Sequence, residues 1–323
     1  MPLKYTVKSP QDNDTPRRRS ILHHIYSVWL FTRSDLKTIV IPATLSGVFN
    51  TIFLFLNVEN QFEVRWTQVP RQAIVALFWV WINLLPFNID NQRRAEAIVE
   101  DMLNKPWRTM PSGRMTAMEA KILMFCLYVT ALYISMRIGG TKQCLTLMLL
   151  GFMYNELRLA DRNWFSRNVI NALGFYCFTS GALDVSLLSS AQVIPAARIQ
   201  VFLWLIVSGA VVLTTVQMQD MADQAGDDMR HRKTMPLSLG DSTTRWVTAV
   251  LVLIWSVLCP RFWSLGIGLS LSFGAFGSLI SYRTLSFRSV LADERTFLLW
   301  NIWIAMVYSF PLLSVISKMT TLL

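Results

Sequence analysis

Four aspartates lie in a short polar stretch, QDMADQAGDDMRHRKTMP, which directly follows a run of mostly apolar residues, FLWLIVSGAVVLTTVQM. Three of them, Asp220, Asp223 and Asp227, are spaced so that one continuous helix would stack their carboxylates on a single face. Carboxylates this close repel one another, and a hard divalent ion such as Mg²⁺ would hold them ionised through oxygen ligands. Three basic residues follow, placed to grip an anion held by that metal: Arg230, Arg232 and Lys233. The alternative is an ordinary solvated loop of mixed charge.

A second stretch, FNIDNQRRAEAIVEDMLNKPWRTMPSGR, has the same order: the end of an apolar helix, oxygen-bearing side chains, basic side chains and a proline-containing turn. Its candidate metal ligands are Asn88, Asn91, Gln92, Glu100 and Asp101. Its candidate diphosphate-binding residues are Lys105 and Arg108. If the two stretches face each other, they form a cradle for a divalent metal and a diphosphate at the mouth of a helix bundle.

Two further groups of polar residues border apolar segments. Lys37 enters the first of these segments, and its amine either snorkels to the membrane interface or reaches the diphosphate. Tyr154 and Glu156 close the fourth segment, where they form either a plain helix-end cluster or part of a pocket. We take the pocket interpretation, which gives this set of candidate catalytic residues: Asp101, Tyr154, Glu156, Asp220, Asp223 and Asp227.

The composition places the chain among integral membrane proteins. Of its 323 residues 53% are apolar and only 15% are charged, and the mean hydropathy is +0.40. A soluble domain carries about 25% charged residues. The net charge of +10 is spread over many loops, which favours a charged membrane surface over nucleic acid. The lipid bilayer is therefore the expected partner, and nothing in the sequence requires a protein partner.

Apolar runs of membrane-spanning length predict an all-helical bundle of about nine transmembrane helices. Lys and Arg concentrate on the side that holds the N-terminus and both acidic loops, which predicts that this side is cytosolic. We expect a polar cytosolic arm over 1–28, a transmembrane catalytic domain over 29–323 and residence in the endoplasmic reticulum. The predicted spans are 36–57, 70–88, 117–136, 142–159, 167–187, 198–218, 245–260, 262–281 and 296–317.

The two acidic stretches resemble the aspartate-rich motifs of the UbiA superfamily of intramembrane prenyltransferases. The second matches as DxxDxxGD followed by RKTxP, and the first aligns on Asn91 and on the Pro-Ser-Gly turn at 111–113. The segments WLFTRSDLKTIVIP and YNELRLADRNWFSRNVINALGF are similar to a fungal branch that includes UbiA-type terpene cyclases. The first motif departs from the family at Gln92, where aspartate is usual, and the second at Asp228 and His231, where a basic residue and glycine are usual.

This resemblance implies a UbiA-type bundle that ionises a prenyl diphosphate with Mg²⁺ as cofactor. The carbocation is then either closed on itself or captured by an acceptor. We expect cyclisation of farnesyl diphosphate to a sesquiterpene hydrocarbon, with release of diphosphate, because the cytosolic halves of the spans offer mainly apolar and aromatic residues. The alternatives are prenyl transfer to an aromatic or other small acceptor and, outside enzymes, an ion-coupled transporter. Transporters tend to place charges near the bilayer midplane, whereas these clusters stand at span ends.

Overall fold

The computed structural model describes residues 19–57, 66–187 and 194–321, and each regular element in these ranges is helical. The α-helices, numbered in chain order, are α1 (Ile21–Thr32), α2 (Ile41–Leu56), α3 (Val69–Gln92), α4 (Ala95–Asn104), α5 (Ala117–Ile138), α6 (Thr141–Gly151), α7 (Leu159–Arg162), α8 (Trp164–Ser186), α9 (Pro195–Thr215), α10 (Gln224–Met229), α11 (Met235–Leu239), α12 (Asp241–Phe262), α13 (Ile267–Ser286) and α14 (Val290–Thr321).

The predicted polar arm is partly helical. Its residues 1–18 lie outside the described residues, but α1 begins at Ile21 and runs through the predicted boundary at residue 28. The Ser20 hydroxyl accepts a hydrogen bond from the backbone N–H of His23 at 3.2 Å and caps this helix. The sequence-based reading of the arm as a plain polar segment missed this helix.

Each of the nine predicted spans overlaps a helix, and six of these helices are long and apolar enough to cross a membrane. Those six are Leu36–Leu56, Trp66–Gln92, Ala117–Ile138, Pro195–Asp220, Asp241–Phe262 and Val290–Ser317. Of the other three, α6 is too short to cross a membrane, and α8 and α13 are long enough but not apolar enough. The all-helical membrane fold is therefore confirmed, and the count of nine spans stays a prediction.

Small residues allow the long helices to approach each other closely. Gly47 on α2 faces α8, and a Cβ at this position would lie 2.6 Å from the carbonyl carbon of Ala182. Such small residues let backbones pack in membrane bundles, where the lipid supplies no hydrophobic driving force between helices. Trp79 on α3 is fully buried near the same contact, and its indole N–H donates to the Ser135 hydroxyl at 2.9 Å.

Three helices change their geometry at an end that carries a candidate site residue. A π-helical turn, Leu36–Val40, precedes α2, another, Phe152–Glu156, follows α6, and a 3₁₀ turn, Val216–Asp220, ends α9. Local departures of this kind are frequent at functional sites. These turns carry Lys37, Tyr154 and Asp220, all named above as candidate site residues.

The second acidic stretch does not form one continuous helix. The 3₁₀ turn ends at Asp220, and α10 begins only at Gln224, so Asp223 lies in the break between them. The expectation that Asp220, Asp223 and Asp227 stack on one helical face is therefore wrong. The break points the three carboxylates toward different partners.

Candidate active site

The two acidic loops lie against each other. Helix α4 of the first loop packs on α10 of the second. Gly226 makes this contact possible, since a Cβ there would lie 2.2 Å from the side-chain nitrogen of Asn104. The same amide nitrogen of Asn104 donates to the backbone carbonyl of Asp223 at 3.3 Å. The fold thus brings together two stretches that are more than a hundred residues apart in the chain.

A cavity of about 540 Å³ opens between these loops and the ends of the helices. The predicted site residues that line it are Lys37, Asn88, Asn91, Gln92, Glu100, Lys105, Arg108, Tyr154, Asp223 and Arg232. Six predicted residues are not part of its lining: Asp101, Glu156, Asp220, Asp227, Arg230 and Lys233. Of the carboxylates among these six, Asp101, Asp220 and Asp227 are buried, whereas Glu156 is exposed.

Three buried carboxylates stand directly behind arginines that line the cavity. Asp101 accepts two hydrogen bonds from Arg108, at 2.8 and 3.0 Å. Asp227 pairs with Arg232 at 3.2 Å. Asp220 is bound by Arg167, as described below. The cavity wall therefore presents guanidinium groups, each with its counter-charge one layer deeper.

Arg167 was not predicted, and it holds two of the predicted residues together. Its Nη2 and Nε donate to the Asp220 carboxylate at 2.8 and 3.3 Å, and its Nη1 donates to the Tyr154 hydroxyl at 2.7 Å. The side chain is buried and lines the cavity beside Asn171, one turn along α8. A charge at the start of a predicted span is by itself a functional signal, and Arg167 opened the span predicted over 167–187.

Asp223 differs from the other two aspartates of its motif because it reaches the cavity surface. Its carboxylate pairs with Lys105 of the first loop at 2.7 Å. The two side chains are 28% and 26% exposed, respectively, so that water reaches both of them. This is the most accessible of the ion pairs that join the two loops among the described residues.

Arg230 and Arg232 join the second acidic loop to the first through ion pairs, here called the latch. Both bind the Glu100 carboxylate, at 3.0 and 2.8 Å, and both bind Asp161, which sequence reasoning missed, at 3.4 and 2.9 Å. His231 lies between them with φ of +57°, in the left-handed region that favours glycine. That backbone conformation explains why the related motif has glycine at this position.

Burial raises the pKa of two of the predicted metal ligands, Asp101 and Asp227. The pKa of Asp101 lies above its ordinary value because burial outweighs the opposing charge of Arg108. Burial raises the pKa of Asp227 to about 7, and the neighbouring Asp220 carboxylate acts in the same direction. In both groups the effect of burial on the pKa therefore exceeds that of the paired arginine.

The oxygen donors of the cavity suit a hard divalent cation. Buried oxygens of Asn91 and Gln92 have no hydrogen-bond partner, and one carboxylate oxygen of Asp227 is also unpaired. Buried polar atoms are normally paired, so unpaired acceptor oxygens beside a cavity are positions where a cation would be stabilised. Among the described residues no three His, Cys, Asp or Glu side chains converge as a ready ligand group. The amide oxygens therefore matter as much as the carboxylates.

Two basic side chains of the cavity wall carry no carboxylate partner among the described residues. Lys37 points its amine toward the ring of Phe297, 5.9 Å from the centroid. Arg33 stacks over Trp107 at 4.6 Å. Because neither charge is neutralised by a carboxylate, both are suited to bind an anion that enters the cavity.

Three predicted residues lie away from the cavity surface. Glu156 is largely exposed and pairs with Arg93 and Arg94 on the outside of the first loop. The exposed Lys233 is held through its backbone N–H, which donates to the Asp161 carbonyl at 2.9 Å. Arg230 belongs to the latch described above. Their spacing in the sequence placed all three near the motifs, but spacing alone does not give the direction of a side chain.

Below its charged mouth the cavity continues into an aromatic region. Phe87, Tyr154 and Phe175 line both the main cavity and a smaller, adjoining apolar one, which Phe178 also borders. The rings of Phe87 and Tyr154 meet edge to face with centroids 5.4 Å apart. The site thus combines charged groups at one end with π-faces at the other.

Comparison with known proteins gives a family for this arrangement. The family model described as the UbiA prenyltransferase family matches residues 96–303. This range contains most of the first acidic loop, all of the second and Arg167 between them.

Two curated relatives are named as synthases. The chain is 26% identical over 242 residues to fumagillin beta-trans-bergamotene synthase of Aspergillus fumigatus, covering 73% of this chain and 74% of the relative. It is 25% identical over 294 residues to somaliensene A/B synthase of Streptomyces somaliensis, covering 88% of this chain and 91% of that enzyme.

A solved structure shows the same fold. A UbiA homologue from Archaeoglobus fulgidus, determined with DMAPP and Mg²⁺ bound, superposes with a TM-score of 0.55 at 14% identity and covers 87% of this chain and 99% of its own. At this level of identity the match establishes the fold.

Proposed function

The chain belongs to the UbiA prenyltransferase family, and we propose that it is a membrane-bound terpene cyclase that requires Mg²⁺. In this proposal it breaks the C–O bond of a prenyl diphosphate, the electron pair leaves with the diphosphate, and the resulting allylic carbocation closes on its own chain. Loss of a proton then gives a cyclic hydrocarbon. Farnesyl diphosphate is the proposed substrate, because bergamotene, named in one relative, is a sesquiterpene.

One observation carries the proposal: a single cavity joins a charged mouth to an aromatic interior. A prenyl diphosphate has the same division, with an anionic head and an apolar tail. The mouth offers Lys37, Arg108 and Arg232, and the interior offers the rings of Phe87 and Phe175. Aromatic faces stabilise a cation through their quadrupoles without trapping it covalently.

Asn91, Gln92 and Asp223 would hold the magnesium ion from the cavity surface, with Asp220 and Asp227 behind their arginines. When bound, Mg²⁺ would neutralise charge on the departing diphosphate. The protein's own cations act in the same direction. Lys37 and Lys105 place positive charge where the leaving group becomes more negative, and such preorganised charge lowers the barrier to ionisation.

The aromatic interior also protects the carbocation. The rings of Phe87, Phe175 and Phe178 are largely buried, and these three side chains carry no hydroxyl or amine that could capture the cation. A dry, shaped pocket suppresses quenching by water, and its outline selects which carbon closes on the cation. Two other aromatic rings of α3 and α8 lie elsewhere: Trp79 is in a packed core, and Tyr176 lines a separate cavity toward the other end of α8.

The competing function is prenyl transfer to an acceptor, for which the family is named. Asn171 favours it, because this polar side chain lies in the cavity away from both acidic loops, and its amide nitrogen is buried without a partner. An acceptor with hydrogen-bonding groups would use such a contact. The two functions differ in whether product forms when the prenyl diphosphate is the sole organic substrate.

The deciding experiment is incubation of the purified protein with geranyl, farnesyl or geranylgeranyl diphosphate and Mg²⁺, without acceptor, followed by gas chromatography and mass spectrometry. We expect a cyclic hydrocarbon from farnesyl diphosphate and none in the presence of EDTA. Product that appears only after an aromatic acceptor is added would replace the cyclase with a transferase. Failure to release diphosphate from any of the three substrates would contradict both.

We also propose that the N-terminus and both acidic loops face the cytosol, in the endoplasmic reticulum. The bias of Lys and Arg toward that side supports the orientation. Labelling of a single cysteine placed at the exposed position Asp228, in sealed microsomes, tests it. Labelling by a membrane-impermeant reagent without detergent agrees with the proposal, and labelling that needs detergent contradicts it.

A further inference from the structure

Arg167 occupies the boundary between the charged and the aromatic parts of the cavity. It is 6% exposed, and it is the basic residue that α8 contributes to the cavity lining. Three of its five N–H groups are engaged, two by Asp220 and one by Tyr154. A guanidinium carries five donors in a fixed fork, so two N–H groups remain for a ligand.

The charge balance of Arg167 changes when the cavity is loaded. Among the described residues a single carboxylate, that of Asp220, forms an ion pair with Arg167. A cation drawn to Asp220 would reduce that compensation. A buried guanidinium without a counter-charge is costly, so an anion in the cavity would be strongly favoured as its new partner.

Tyr154 connects this charge to the aromatic wall. Its hydroxyl oxygen accepts a hydrogen bond from Arg167, so its own proton points elsewhere. Its ring packs edge to face on Phe87 and lines both the main cavity and its apolar extension. The orientation of this ring is therefore fixed by a group that also faces the diphosphate end.

The backbone around Arg167 is held in place by hydrogen bonds that do not involve the Arg167 side chain. The adjacent Asn168 donates to the side chain of Gln217 at 3.1 Å, and Gln217 in turn donates to Thr248 at 2.9 Å. These buried contacts tie α8 to the segment after α9 and to α12. A change at Arg167 should consequently act on the cavity more than on the packing of the helix.

We propose that Arg167 is a diphosphate-binding residue that also positions Tyr154, so that capture of the leaving group and the shape of the aromatic pocket are linked through one side chain. This inference rests on the proposed function for the identity of the substrate. It predicts two separable effects: weaker binding of diphosphate when the guanidinium is lost, and a changed product mixture when the link to Tyr154 is lost.

Binding is tested without turnover, by calorimetric titration of the detergent-solubilised protein with magnesium and inorganic diphosphate. Arg167→Met should weaken binding by about tenfold or more, as expected for one charge-assisted hydrogen bond. Arg167→Lys keeps the charge opposite Asp220 and should recover part of that loss. Arg19→Met serves as the matched control, because Arg19 pairs with Glu119 on the surface. Thermal unfolding of each variant reports whether the fold is retained.

The link to Tyr154 is tested by product analysis. Tyr154→Phe retains the ring but loses the acceptor oxygen, so we expect diphosphate binding within about twofold of wild type and a shifted ratio of products. Arg167→Lys should shift that ratio in the same direction, with kcat affected more than KM. A shared shift is not expected from a purely structural role.

The outcomes separate the two proposals. Equal affinity of Arg167→Met and wild type for magnesium diphosphate would overturn the binding role, and unchanged products in both Tyr154→Phe and Arg167→Lys would overturn the positioning role. A wild-type protein that binds magnesium diphosphate through Arg167 but converts no prenyl diphosphate would instead contradict the proposed function alone.

Discussion

Two clusters of acidic and basic side chains differ in how completely their hydrogen-bonding groups are paired. The first, here called the cavity cluster, consists of Asp101, Asp220 and Asp223 with Arg108, Arg167 and Lys105. The second, the helix-end cluster, consists of Arg245, Asp241 and Asp293. It joins the first turn of α12 to the first turn of α14 and lines none of the cavities described above.

The helix-end cluster is closed. Arg245 is 1% exposed and binds both oxygens of Asp293, at 2.8 and 2.7 Å, and both oxygens of Asp241, at 2.9 and 2.8 Å. It also donates to the backbone carbonyl of Thr284 at 3.0 Å. A fully satisfied buried network rigidifies the elements it joins, and breaking one partner leaves an uncompensated charge.

The cavity cluster and its surroundings are open. The Arg108 Nε, the Asn91 and Gln92 oxygens and one Asp227 oxygen are buried without partners. Similar charges are therefore used in two ways: a closed network supports the fold, while an open one beside a cavity is prepared for ligands. Four substitutions test this distinction.

The largest effect is expected at Asp223. Asp223→Asn should lower turnover of farnesyl diphosphate by about a hundredfold or more, the scale on which one preorganised electrostatic contact affects catalysis. The melting temperature should hardly change, because the side chain is partly exposed. Asp228→Asn is the matched control, since Asp228 lies in the same loop but is exposed. Equal activity of the two variants would remove Asp223 from the site.

The helix-end cluster should show the opposite result. Asp293→Ala leaves Arg245 buried without its main partner, which should lower the free energy of unfolding by about 3–5 kcal/mol. The protein that remains folded should bind magnesium diphosphate normally. Chemical unfolding in detergent measures the first quantity, with Arg295→Met, an exposed change on the same helix, as control. A stability loss equal to that of the control would contradict the structural role.

At Lys105 we expect a smaller effect, in which a substitution raises the affinity for Mg²⁺ instead of lowering it. In the absence of diphosphate its amine competes with metal for the Asp223 carboxylate, so Lys105→Met should raise the affinity for Mg²⁺. The gain should not exceed about fivefold, because a partly exposed ion pair is worth up to about 1 kcal/mol. Affinity for magnesium diphosphate should fall instead. Calorimetric titration checks both, and a lower affinity for Mg²⁺ alone would show that the pair does not block the metal.

The smallest expected effect is on the pH dependence of the stability of the metal-free protein. Because burial raises the pKa of Asp227 to about 7, the metal-free native protein retains a proton there that the unfolded chain releases near pH 4. Its contribution to stability is present in full below about pH 4 and is lost as the pH rises to about 7. Melting temperatures measured in EDTA should therefore fall across this range more for wild type than for Asp227→Asn. Parallel curves would show that Asp227 ionises with an ordinary pKa.

Sequence patterns predicted the helices well because apolar length and polar boundaries are local properties. They also predicted that the two acidic loops carry the site, since both combine oxygen ligands with basic residues. The structure places the loops in contact through Gly226 and Asn104.

Pairing across the chain was beyond those patterns. Asp220 and Arg167 are 53 residues apart, and Glu100 and Arg232 are 132 apart. Residues so far apart in the chain form no periodic pattern from which their pairing could be predicted. The i, i+3, i+7 spacing of the aspartates suggested a common face, but the change from a 3₁₀ turn to α10 separates them. Local spacing therefore indicated candidate residues for the site and not their partners.

Release of inorganic diphosphate from farnesyl diphosphate, measured without acceptor and per mole of folded protein, separates the roles of the cavity cluster and the helix-end cluster most clearly. We predict release by wild type that requires Mg²⁺, almost none by Asp223→Asn and wild-type rates for the folded fraction of Asp293→Ala. Release that is independent of Mg²⁺, or that falls equally in both variants, would contradict the assignment of catalysis to the cavity cluster.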